Sequence, residues 1–213
     1  VQSLGELGVA AYCPRQLWYR RQDDEAPERA RAARALALRY GALRDRTVPA
    51  ERLAASPATV ATRLDRAAER YPAAWPALRD PPATDVLVEG RDVRGEVAKL
   101  LGTDPPTPTI VAGGAPPTDG VWPGHAVRAV GATLAVAWER DRSVDRAFVE
   151  YPRHGVIRAV RPTARRRARF RRVHTVVAEL SGPPSRVSNR AKCGPCEYSD
   201  QCGVDTRALA SLL

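Results

Sequence analysis

The apolar and polar positions of this 213-residue chain change their period at about residue 84. Before it, the pattern is helical. Ser3-Leu4-Gly5-Glu6 has the form of a capping box, so a short helix starts there and delivers Cys13. Pro14 then suits a turn or the first position of a following helix. Residues 26–48 are rich in Ala, Leu and Arg, which are strong helix formers, and a further helix is predicted over Pro57–Arg70. Pro72, Pro76, Pro81 and Pro82 then read as a linker. From Thr84 the pattern becomes that of strands. Asp85–Glu89 and Val93–Leu101 are predicted strands around a turn at Gly90-Arg91-Asp92, and Thr109–Ala112 is a short third strand. Pro123–Arg140 reads as a buried helix. Asp145–Tyr151 and Val156–Val160 form a hairpin around Arg153-His154-Gly155. Pro162–Leu180 is a helix whose Val173, Val176, Val177 and Leu180 make an apolar stripe. A loop, a cysteine-rich turn and a short last helix follow.

This order predicts one α/β domain over residues 1–213. Its parts are a helical region of about 1–80, a mixed central sheet flanked by helices over about 84–180, and a cysteine module at 193–213 closed by Cys13. The length suits a single sizeable core. No apolar run is long enough to span a bilayer. The opening apolar stretch is broken by Glu6 and lacks a basic flank, so neither a leader nor a membrane partner is expected, and a cytoplasmic location is.

Charge adds a partner class. There are 34 basic and 24 acidic residues, giving a net charge of +10, which favours a polyanion, nucleic acid first and DNA over RNA. Lysine occurs only at Lys99 and Lys192, so arginine carries almost all of this charge, part of it through coding bias. Arg165, Arg167 and Arg171, in an arginine-rich run on the last long helix, are the candidate phosphate contacts, against the alternative of a solvated helix face.

The four cysteines change the picture most. Cys13 stands alone in Tyr12-Cys13-Pro14-Arg15-Gln16-Leu17-Trp18-Tyr19, whereas Cys193, Cys196 and Cys202 form C-x2-C-x5-C. Four thiolates satisfy a [4Fe–4S] cluster or a structural zinc ion, and either would clip the two ends of the chain together. In a reducing compartment such spacing points to metal rather than disulfides. Tyr12, Trp18, Tyr19 and Tyr198 flank the cysteines, where they pack around a metal site or stack on bases. His125, His154 and His174 are scattered without ligand spacing or a nucleophile partner and read as structural or exposed.

The motif Tyr-Cys-Pro-Arg-Gln-Leu-Trp-Tyr, together with C-x2-C-x5-C, resembles the CRISPR-associated protein 4 family, RecB-like iron–sulfur nucleases of the PD-(D/E)XK superfamily. The resemblance spans the chain in order and is strong at its two ends. It implies a restriction-endonuclease-like core, a [4Fe–4S] cluster on Cys13, Cys193, Cys196 and Cys202, and as partners DNA and the CRISPR integrase or another DNA-processing protein.

It also implies a nuclease site that this sequence does not fill. The family carries a His after a helical Gly, a Gly-x-x-Asp strand, a Glu-x-Lys strand and a Gln-x-x-x-Tyr helix. These positions fall on Asp45, Ala98, Ile110 and Ala112, and on Arg128 with Ala132; a one-residue slip to Val111 and Gly113 restores nothing. Hard divalent ions need oxygen ligands, so Mg²⁺ or Mn²⁺ is not expected to bind, and Ala98, Ile110 and Ala112 read as core. By strand alternation Asp92, Arg94, Glu96 and Ala98 share one face, which makes Glu96 the fallback carboxylate, with Asp45 a second. Three readings follow: a catalytically silent iron–sulfur nucleic-acid-binding protein acting as an accessory in CRISPR adaptation or DNA processing; a divergent exonuclease with its metal site migrated to Glu96 and Asp45; and a zinc-stabilised interaction protein.

Overall fold

Strand β3, Val93–Leu101, has three neighbours and organises the sheet. The computed structural model describes residues 1–23 and 28–203 of the chain. Antiparallel β2, Ala83–Glu89, follows β3 along one edge. The other edge is shared: β1, Gln2–Ser3, pairs in parallel with Val93 and Arg94, and β4, Thr107–Val111, pairs antiparallel with Lys99–Leu101. The sheet continues through β5, Ala147–Tyr151, parallel to β4, and ends with β6, Val156–Val160, antiparallel to β5. A parallel pair needs a crossover, and the 18-residue helix α7, Pro123–Arg140, supplies it.

Helices cover both faces. One layer contains α1, Leu4–Tyr12, with α7 and α8, Ala164–Ala178. Helix α2, Pro14–Arg20, continues from α1 with Cys13 as the hinge and Pro14 at its first position. The α1–α7 crossing is close because glycines line it. A Cβ on Gly124 would stand 2.5 Å from the Gly8 carbonyl oxygen, and one on Gly131 would stand 2.6 Å from the Leu4 side chain. The opposite layer contains α3, Glu28–Ala37, α4, Tyr40–Arg44, α5, Pro57–Arg70, and α6, Trp75–Arg79. Each layer has its own apolar cluster, one around Leu4, Leu7, Val130 and Val149, the other around Tyr40, Leu64, Leu78 and Phe148. The result is the mixed α/β architecture, a mixed sheet flanked by helices.

Several expectations need correction. The proline-rich linker holds α6, with Pro76 in its first turn where its missing N–H costs nothing, and Trp75 and Leu78 in the core. The segment over 26–48 contains two helices rather than one, broken before Tyr40. On α8, Val177 is buried and Val176 is exposed; Phe170 takes the place expected of Val176. The expected last helix lies outside the described residues.

The most consequential correction concerns β3. Simple alternation puts Glu96 and Ala98 on one face. Yet Val97 and Leu100, three residues apart, both join the α7-side core, as do Ala83 and Val86 opposite them on β2. Between the latter, Asp85 adopts the left-handed backbone conformation, with φ of 55°. The hairpin therefore changes phase there. Glu96 and Lys99, also three apart, face the α3–α6 layer: Glu96 meets Arg34 of α3, and Lys99 meets Leu78 of α6.

Lys99 and Glu150 are wholly inaccessible to solvent. The Lys99 ammonium donates to Glu150 Oε2 and to the Leu78 carbonyl, both at 2.7 Å, and lies 4.2 Å from the centre of the Tyr40 ring. The Tyr40 hydroxyl donates to the same carboxylate oxygen at 2.5 Å. Burial pushes the Lys99 ammonium below its usual pKa, and Glu150 opposes that shift; burial first, then Glu150, holds the Tyr40 phenol well above its own. The expected outcome of Lys99→Met or Glu150→Gln alone is a loss of about 3–5 kcal/mol, because each leaves a buried charge or donor unmatched. The double variant Lys99→Met/Glu150→Gln should recover part of that loss. Urea denaturation of the three variants measures the coupling.

Candidate functional site

Cys13, Cys193, Cys196 and Cys202 line one cavity, and all four are free and half-buried. Local structure delivers each of them. Cys13 ends α1 and begins α2. Cys193, Cys196 and Cys202 lie on consecutive turns closed by Cys196 N–H to the Cys193 carbonyl at 3.0 Å and Cys202 N–H to the Tyr198 carbonyl at 2.9 Å. The thiols feel one another: burial pushes the Cys196 thiol up, and Cys13, Glu197 and Cys193 add to this. Burial and then the charges of Cys196, Cys13 and Cys193 also raise the Tyr12 phenol. Thiols held this close repel once ionised, and a bound cationic group would offset that repulsion. Among the described residues no three His, Cys, Asp or Glu side chains converge on a point as one ion requires.

The two chain ends are fastened by more than cysteine. The Tyr12 hydroxyl donates to the Lys192 carbonyl at 2.9 Å, and the Lys192 ammonium donates to the Tyr12 carbonyl at 2.7 Å. Arg15 donates to the Pro184 carbonyl at 2.8 Å, and the Tyr19 hydroxyl to the Gln201 carbonyl at 3.1 Å. Tyr198 stacks on Tyr19, ring centres 5.8 Å apart, and its hydroxyl donates to Asp23. Tyr12, Tyr19 and Tyr198 thus pack around the cavity, while Trp18 is half-buried on α2.

The positions aligned with nuclease chemistry are dispersed. Ile110 and Ala112 are buried in the α7-side core, and Ala98 is buried as well. Shifting the register to Val111 brings in another apolar side chain, packed on the α3–α6 side. Asp45 is exposed at the end of α4, which packs on α5. The carboxylate beside Glu96 is Asp85 instead, and the Arg34 guanidinium contacts both. A cation already lies between these two carboxylates, and it is a side chain of the protein. Arg128 stands in a basic environment: burial, then Arg20 and Arg34, push its pKa down to about 10, and its Nε is sealed from solvent without a hydrogen-bond partner. Lys99 and Glu150 escaped the sequence reading because buried ionic residues carry no periodic signature.

On α8, Arg165 and Arg171 are exposed, but Arg167 is half-buried and donates to the Pro162 carbonyl at 2.8 Å. Helical spacing puts Arg165 on one exposed stripe with Arg169 and Arg172, and turns Arg171 away from it. No acidic residue lies in the first turn of α8, so Arg165, Arg166 and Arg167 sit at its positive pole.

With this geometry in view, comparison with known proteins adds no relative: no protein-family model matches the chain, and no curated protein matches it.

The histidines lie apart from one another in the fold. His174 Nε2 lies 3.0 Å from the Asp92 carbonyl, and the His154 carbonyl accepts from Arg63 at 3.1 Å. His125 Nδ1 lies 2.9 Å from the Tyr151 hydroxyl, and burial, then Arg128, push His125 down to about 4. A folded-state pKa below the unfolded value means that the stabilisation is complete above about 6.5 and is lost as pH falls toward 4. The expected loss over that window is about 2–3 kcal/mol. Denaturation curves at pH 7 and pH 4.5 should show it in the parent and much less of it in His125→Gln.

Proposed function

We propose that this chain is an iron–sulfur nucleic-acid-binding protein without nuclease activity, an accessory to a DNA-processing partner such as the CRISPR integrase. The observation that carries the reading is the single cavity lined by four free thiols from the two ends of the chain. A tetrahedral zinc site draws its sulfurs to within about 3.8 Å of one another, given a Zn–S bond of about 2.3 Å. A cubane cluster binds each thiolate through a different iron and spreads them around its corners. The choice of the cluster over a single zinc ion rests on the resemblance carried by the two cysteine motifs. When bound, the group supplies four iron–thiolate bonds that close the molecule and a potential one-electron centre. Cys13, Cys193, Cys196 and Cys202 are its ligands, and Tyr12, Tyr19 and Tyr198 pack beside it.

The silent character rests on ligand chemistry. The apolar side chains of Ala98, Ile110 and Ala112 offer a hard cation nothing, and Asp85 and Glu96 already share the Arg34 guanidinium. Where the resemblance asks for carboxylates and a lysine around phosphate, this chain supplies core, and Arg128 beside Arg20 and Arg34 replaces the helix glutamine. Guanidinium groups hold phosphate without cleaving it. The Arg165–Arg169–Arg172 stripe provides the exposed counterpart, its first member at a helix pole that favours anions.

Iron and sulfide analysis of anaerobically purified protein tests the first part. About four irons per chain are expected, and Cys196→Ser should lose them and lower the stability. One zinc and no iron would return the molecule to the interaction-protein reading. For the second part, DNA affinity should fall steeply with salt, and replacing Arg165, Arg169 and Arg172 with Ala should reduce the log–log slope by about 2 to 3. No cleavage is expected with Mg²⁺ or Mn²⁺; a co-purifying exonuclease abolished by Glu96→Ala is the result that establishes the migrated site instead.

A further inference from the structure

A second cleft lies on the opposite side of the sheet from α8, beside α3 and the β5–β6 hairpin. It encloses about 500 Å³ and is lined by Ala32, Ala35 and Leu36 of α3, by Arg39, by Glu51 and Arg52, and by Arg153. That volume lies within the usual range of small-molecule sites. Three guanidinium groups from three separate segments meet one carboxylate there. Among the described residues Arg39, Arg52 and Arg153 form no ion pair, and neither does Glu51. Three guanidinium groups therefore share the cleft with one carboxylate, an excess of positive charge that an anion would balance.

One wall is held rigidly. Arg153 donates through Nε to the Arg52 carbonyl at 3.2 Å, and its own carbonyl accepts from the Ala54 N–H at 2.9 Å. Two residues on, Gly155 turns the hairpin with φ of 66° and presses against α5, where a Cβ would stand 2.5 Å from the Val60 carbonyl oxygen. Only glycine fits that approach, so the hairpin carrying Arg153 has one seating. The other wall is apolar: Ala32 and Ala35 leave a flat strip of α3 exposed beside the charges.

We propose that this cleft binds a nucleoside phosphate, with the phosphate on Arg39, Arg52 and Arg153 and the base against the Ala32–Ala35 strip. Three forked donors from different directions match the oxygens of a terminal phosphate, which exposes more of them than a phosphodiester. An apolar strip beside guanidinium planes suits a base. Glu51 accepts hydrogen bonds only, so it fits a ribose hydroxyl or an exocyclic amine and repels a second phosphate. The ligand is either a free nucleotide or the phosphorylated end of a single strand. The site does not rest on α8 and stands or falls separately from duplex binding there.

Calorimetric titration of the full chain tests it with AMP, adenosine, inorganic phosphate, and a short oligothymidylate bearing a 5′-phosphate or a 5′-hydroxyl. AMP or the 5′-phosphorylated strand should bind at least tenfold more tightly than adenosine and the 5′-hydroxyl strand, and tighter binding of one of the two identifies the source. Arg39→Ala and Arg52→Ala, both on exposed side chains, should each weaken binding about tenfold, while Arg140→Ala, at the exposed end of α7, should leave it unchanged. Inorganic phosphate binding as tightly as AMP overturns the assignment to a nucleoside. Equal affinity for phosphorylated and unphosphorylated ligands, or indifference to Arg39→Ala and Arg52→Ala in variants with parental circular dichroism, overturns the site.

Discussion

A lysine and a glutamate sealed from water fix the geometry of this molecule. Lys99 on β3 reaches Glu150 on β5 across the intervening β4, so their ion pair spans three strands. It also ties the sheet to the helices through the Leu78 carbonyl and the Tyr40 hydroxyl. Taking two charges out of water is expensive, and the arrangement survives only when every element bearing a partner is in place. The α3–α6 layer therefore cannot slide on the sheet without stranding a charge. Glu150 keeps one oxygen unpartnered, as does the nearby Thr109 hydroxyl, which leaves a narrow margin in the network.

The phase change at Asp85 follows the same logic. Were alternation regular along β3, Lys99 would share a face with Val97 and point into the apolar core around α7. Shifting the phase by one residue sends Lys99 to the side where a carboxylate awaits it, and gives Glu96 to Arg34. Lys99, Glu96 and Asp85 thus find partners within the chain on this face, while Ala98, Ile110 and Ala112 are buried. The exposed face of α8 and the α3 cleft are left cationic.

Most of the framework was legible in the sequence because it rests on local rules. Capping at Ser3, prolines at the first turns of α5 and α7, and the apolar run of α7 all announce themselves in short windows. The cysteine grouping was legible for a different reason: three cysteines within ten residues are a strong local signal. What escaped was non-local. Glu150 is unremarkable within Phe148–Tyr151, and its role depends on a lysine on β3 and a tyrosine on α4. The α6 helix hid behind prolines because Pro76 falls where a helix tolerates it. The pairing of Glu96 with Asp85 rather than Asp45 depended on a left-handed residue that no period predicts. Arg153, Arg52 and Arg39 meet only because a glycine turn packs against α5.

The closure of the cysteine cavity also has a consequence in time. Cys13 lies near the start of the sequence and its three companions near the end. A ribosome adding roughly 5–20 residues per second separates their appearance by about 10–40 s. During that interval the sheet and both helix layers have emerged, but Cys13 waits as a lone thiol at the α1–α2 hinge, exposed to oxidants and to mispairing. Tyr12, Arg15 and Tyr19, which later grip the returning segment, are equally without partners. Cys13 is therefore open to oxidation for as long as Cys193, Cys196 and Cys202 remain unsynthesised, and the speed of translation over residues 14–202 sets the length of that exposure.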